Sequence, residues 1–157
     1  MPGDRVFLAD EKGPYVCAMF RGKKRDTAGW LPRAELDIDA TPAPPARQDW
    51  LGRWRSAENS ILVDAKEGGR LFFRGIAFTP PYYLSDFDVE TVPKGNQVTY
   101  KFAGCTITLR WLAGFILANN TLGCTGTGNS FYGIYTRTAL TTDPADETPE
   151  AAAAGKR

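Results

Sequence analysis

The chain contains no histidine, and that absence shapes every chemical reading of it. Histidine is the commonest general base, the usual activator of a serine or cysteine nucleophile and the commonest metal ligand. Ser-His-Asp and Cys-His arrangements and His-bearing zinc sites are therefore impossible within the chain. Its three cysteines, Cys17, Cys105 and Cys124, are too few for a four-thiolate zinc site and are not in Cys-x-x-Cys spacing. What remains is carboxylate chemistry. Asp86, Asp88 and Glu90 alternate, so an extended backbone puts them on one face. Glycoside hydrolysis uses a carboxylate pair, but nothing in the sequence supplies surroundings that would set one carboxyl apart as the acid. The glycines between Gly123 and Ser130 lack a following Gly-Lys-Ser/Thr and lie between strand-like runs, so they read as a turn rather than a phosphate cradle. No catalytic residue, metal site or cofactor is predicted.

Aromatic residues supply the candidate binding surfaces. Pro80-Pro81-Tyr82-Tyr83 cannot sit in a central strand. It reads as an exposed loop or edge, with Tyr82 and Tyr83 beside Asp86 and Asp88 in the manner of a recognition surface. Tyr15 and Trp30 form a second pair. They can line an aromatic groove for an extended ligand, or Trp30 can cap a very small core. A small module needs its large side chains inside, which favours the cap. The cluster Arg21, Lys23, Lys24 and Arg25 reads as a solvated hairpin turn.

The elements that position these residues are strands. No long segment carries apolar residues at helical spacing, and no apolar run is long enough to span a membrane as a helix. Short runs rich in aromatic and β-branched residues recur: 5–8, 15–20, 60–63, 71–73, 97–102, 105–109 and 131–135. Glycine- and proline-bearing turns bound most of them. Val98, Tyr100 and Phe102 alternate with Gln97, Thr99 and Lys101, and Cys105, Ile107 and Leu109 alternate with threonines. That is the period of half-buried antiparallel strands, and Ala103-Gly104 between them predicts a hairpin. The expected fold is all-β, a partial SH3-like barrel plus a larger antiparallel β-barrel or sandwich. The expected organisation is a module over 1–40, a Pro-rich linker over 41–48, a β domain over 49–139 and a disordered tail over 140–157. With 157 residues, 43% of them hydrophobic, the chain can build a core. Its formal net charge of +1 argues against a nucleic-acid or polybasic membrane footprint.

Two resemblances bear on function. Gly3-Asp4, Tyr15-Val16, Gly29-Trp30-Leu31 and Leu36 resemble the latter part of a bacterial SH3-like domain. That family usually has a further strand before the Gly-Asp. Its omission here, and the abrupt entry into a strand after Met1, predict that an upstream segment, a signal peptide, has been removed; the alternative is a cytosolic protein that starts there. In the second domain Trp50-x-Gly52-x-Trp54 is similar to the opening of lipocalin-like barrels, where a tryptophan plugs one end. The order Cys105, strand pair, Asn119-Asn120, Gly123-Cys124, Gly128-Asn129, then Gly133-x-Tyr135-x-Arg137 resembles a domain of uncharacterised proteobacterial secreted proteins. It is similar in style to periplasmic lysozyme-inhibitor families.

The cysteines bear on compartment. A Cys105–Cys124 disulfide would stabilise by roughly 3 kcal/mol on the chain-entropy estimate and imply the periplasm or the exterior. The alternative is two reduced core thiols. Cys17 is then a small buried hydrophobe. The resemblances imply a non-enzymatic envelope protein that binds a protein partner, such as a cell-wall hydrolase it inhibits or a toxin it confers immunity to. The alternatives are a peptidoglycan-binding or structural accessory domain and, last, a carboxylate-only hydrolase.

Overall fold

A computed structural model describes residues 4–21, 26–40, 43–57, 59–79, 83–102, 104–120 and 131–142. It is mostly β, as the turn spacing predicts, and it divides into two compact units, residues 1–42 and 43–157.

The first unit is a three-stranded antiparallel sheet of β1 (Phe7–Lys12), β2 (Tyr15–Phe20) and β3 (Thr27–Pro32), with β2 central. Gly13, at φ +58, makes the β1–β2 turn, a conformation that costs glycine little. The core is small: Val16, Ala18 and Met19 are the buried apolar residues of its described part. A 3₁₀ turn at Arg33–Glu35 follows β3.

The second unit is an eight-stranded antiparallel sheet that curls into a nearly closed barrel. Its strands are β4 (Gly52–Ser56), β5 (Asn59–Ala65), β6 (Leu71–Thr79), β7 (Tyr83–Thr91), β8 (Gln97–Phe102), β9 (Cys105–Leu112), β10 (Phe115–Asn120) and β11 (Gly133–Ala139). They lie in the order β7-β6-β5-β4-β11-β10-β9-β8. First and last strands pair, β4 with β11, so the sheet closes there by hydrogen bonds. The two edges are consecutive strands, β7 and β8.

Alternation sends one row of each strand inward, and these side chains fill the interior. Trp54, Ile61, Leu71, Phe73, Phe87, Leu109, Ile116, Phe131 and Tyr135 belong to one buried cluster. An eight-stranded barrel is just wide enough to be filled in this way.

One end is closed by a short helix, α1 (Arg47–Trp50). The Asp49 carboxylate accepts from the Ala46 N–H at 2.7 Å and starts the turn. Trp50 drops into the core edge-on to Phe73 at 5.6 Å. The Trp54 indole N–H donates to the Trp50 carbonyl at 2.9 Å. The Asp49 carbonyl accepts twice, from the Trp111 indole at 3.1 Å and the Arg137 guanidinium at 2.7 Å. Arg137 also lies over the Trp54 ring, 4.9 Å from its centroid. Gly52 makes this junction feasible: at φ +115, a Cβ there would stand 2.1 Å from the Ala139 carbonyl oxygen.

Two boundaries differ from expectation. Arg47 and Gln48, read as linker, are helical, because the Asp49 cap and the buried Trp50 tie them down. The tail does not begin at 140. Arg53 donates to the Thr142 carbonyl at 3.0 Å, and the Thr142 hydroxyl bonds Asp64 at 2.6 Å. The remainder of the tail lies outside the described residues.

Candidate functional site

Tyr15 and Trp30 are brought together. In the β2–β3 register Cys17 stands opposite Trp30 and Tyr15 opposite Pro32. Alternation therefore puts Tyr15, Cys17 and Trp30 on one face of the sheet. Trp30 is 51% exposed and Tyr15 48%. The expectation that Trp30 caps the small core is corrected. β3 is an edge strand with its residues largely exposed, so its side chains have a neighbouring strand on one side only. Cys17, opposite Trp30 in the register, is half-buried rather than buried and is not in a disulfide.

The acidic row is built as alternation predicts, and it is engaged. Asp86, Asp88 and Glu90 are exposed while Phe87 between them is buried. Asp88 is the register partner of Arg74 on β6 and accepts from its Nε and one terminal guanidinium nitrogen, at 2.9 and 3.3 Å. That contact pushes the Arg74 guanidinium above its ordinary value, the hydrogen bond to Asp88 being the main cause and the charges of Asp88 and Asp86 adding to it. Arg70 bridges Glu90 at 3.3 Å. Arg74 and Lys66 both lie over the Phe72 ring. This surface is a cross-strand charge lattice.

Tyr82 falls outside the described residues, and Tyr83 enters as the first backbone position of β7. Thr79 pairs with Tyr83 at the end of the β6–β7 ladder. Cys105 is buried at the start of β9. Its expected partner Cys124 and the glycine-rich stretch lie outside the described residues.

Sequence reasoning missed a row of rings between the two barrel edges. Phe87 of β7 stacks on Tyr100 of β8, centroids 5.8 Å apart and planes 25° from parallel. Phe131 meets Phe87 edge-on at 4.9 Å. Phe102 lies parallel to Tyr100 at 6.4 Å and is 68% exposed. Phe87 can lie across the sheet because its register partner is Gly75, where a Cβ would come within 2.0 Å of the ring. The alternation of Val98, Tyr100 and Phe102 was the available signal. It identifies their shared face but not that the row runs from the buried interior out to solvent.

Among the described residues no group of three or more acidic or cysteine side chains could hold a metal ion. No helix among the described residues is long and apolar enough to cross a membrane. No protein-family model, curated protein or solved structure matches the chain.

Proposed function

We propose that this chain is a non-enzymatic binding protein of the bacterial envelope that engages a protein partner, a cell-wall hydrolase that it inhibits being the best fit. The observation that carries the reading is the pair of half-exposed rings, Tyr15 and Trp30, on one face of the small sheet. Tryptophan and tyrosine are the side chains on which interfaces concentrate binding energy. The filled barrel supports it, since a packed interior suits a framework better than a carrier of small ligands. The envelope assignment rests on the expected Cys105–Cys124 disulfide, which persists in an oxidising compartment. The absence of histidine and the ion-paired state of Asp88 and Glu90 weigh against a hydrolase.

The test is a turbidity assay of peptidoglycan suspensions with a panel of muralytic enzymes. The chain slows at least one of them, and Trp30→Ala loses that effect. No slowing, but co-sedimentation of the chain with purified peptidoglycan, would replace inhibition with wall binding. The absence of both effects would overturn the reading. Counting thiols in the denatured chain tests the compartment: one free thiol fits the disulfide, and three contradict it.

A further inference from the structure

We propose that the Tyr15–Trp30 face of the small sheet takes one cationic side chain, an arginine, from the protein partner. The inference rests on the reading of Tyr15 and Trp30 as the contact pair and names the chemistry they contact.

The register decides which charges share that face. Strand β2 is central, so its residues have partners on both sides. Cys17 stands opposite Asp10 on β1 and Trp30 on β3, and Tyr15 stands opposite Lys12 and Pro32. Directly opposed residues project from the same face of a sheet. Two rows therefore cross this face, Asp10–Cys17–Trp30 and Lys12–Tyr15–Pro32. Glu11 is opposite Val16 and belongs to the other face. β2 and β3 contain no charged residue, so Asp10 and Lys12 supply all the charge that the three strands place here.

A break in the β1 ladder puts the carboxylate in its row. Leu8 pairs with Ala18, and the register then shifts so that Asp10, not Ala9, pairs with Cys17. In an unbroken ladder Ala9 would oppose Cys17 and Asp10 would fall on the other face. Bulges of this kind re-aim a side chain, and they are over-represented next to functional sites.

The row has the dimensions of a guanidinium site. Neighbouring strands lie about 4.8 Å apart, so the Asp10 and Trp30 backbones are separated by about 10 Å. Between them is Cys17, a short side chain that is half-buried. A planar cation entering over Cys17 reaches both walls. It can donate to the Asp10 carboxylate and lie within about 6 Å of the indole. Asp10 is exposed and Trp30 is 51% exposed, so both are accessible to a partner. Tyr15, in the next row, adds a second ring. Arginine fits better than lysine, because its flat fork matches a carboxylate and stacks on aromatic rings. Lys12, in the row beside Asp10, repels a second cation, so the fitting element is an isolated arginine and not a basic run.

The probe is N-acetyl-arginine methylamide, with the citrulline derivative as its uncharged counterpart. Each is titrated into isotopically labelled full-length chain while the Trp30 indole N–H resonance is followed. The expected result is a saturating shift of that resonance and of the Asp10 and Cys17 amides, with the citrulline derivative binding about threefold more weakly or worse. Asp10→Asn lowers affinity for the arginine derivative by about threefold, the scale of an exposed ion pair, and weakens inhibition in the muralytic assay. A citrulline derivative that binds as tightly as the arginine one, shifts confined to other residues, or an Asp10→Asn variant that binds arginine like the parent would each overturn the inference. The two readings fail separately. Full inhibition by Asp10→Asn with inhibition lost in Trp30→Ala removes the arginine and leaves the contact pair. Inhibition of no enzyme, with the arginine titration as expected, removes the hydrolase and leaves the arginine site.

Discussion

The two units use the same large aromatic residues in opposite ways. In the barrel Trp50 and Trp54 are sealed, and Trp54 is held from the interior by the Arg137 guanidinium and the Trp50 carbonyl. In the small sheet Trp30 and Tyr15 stand half in solvent on an edge. The difference follows from what surrounds them. Eight strands curled on themselves give an inward side chain neighbours on all sides. Three strands give an edge residue neighbours on one side, and small units bury a smaller fraction of their surface. Residue type alone does not decide whether a tryptophan is framework or contact; the number of strands around it does.

Substitutions can break or sharpen that contrast. The largest effect belongs to Trp54→Ala, which empties the centre of the plugged end and should cost about 3–5 kcal/mol, read as a lowered urea midpoint. Gly75→Ala comes next. The new Cβ collides with the Phe87 ring, and overpacking of this kind costs about 1–3 kcal/mol; the strained ring also disturbs Tyr100, seen as a shift of its aromatic resonances. Arg137→Met keeps length but loses the hydrogen bond to the Asp49 carbonyl and the charge over Trp54, a loss of about 1–2 kcal/mol by thermal unfolding. The smallest belongs to Trp30→Ala, at about 0.5 kcal/mol or less, the range of surface substitutions. A loss from Trp30→Ala as large as that from Trp54→Ala would erase the contrast.

What could be read from the sequence divides along the same physical lines. β2 and β8 were legible to the residue, since their alternation and flanking turns are local properties. β7 was not, because Pro80-Pro81 precedes it and three carboxylates occupy its outer face. Cross-strand pairing with Arg74 and Arg70 offsets that charge, and such pairing depends on register. β4 is too short to show a period, and α1 spans a single turn. Among the candidate residues, Tyr15 and Trp30 could be named from their types, but their exposure depends on β3 being an edge. The Phe87–Tyr100 contact joins the two ends of the sheet order, which no local pattern records. Arg137 was visible as the end of Gly-x-Tyr-x-Arg, while its target, the Asp49 carbonyl, lies 88 residues away in sequence.

The most direct measurement pairs stability with inhibition in the double variant Tyr15→Ala/Trp30→Ala, using urea unfolding and the muralytic assay on the same preparation. The account predicts a midpoint within the parent's error and a loss of inhibition. A folded variant that inhibits as well as the parent, or a midpoint that falls as far as that of Trp54→Ala, would contradict it.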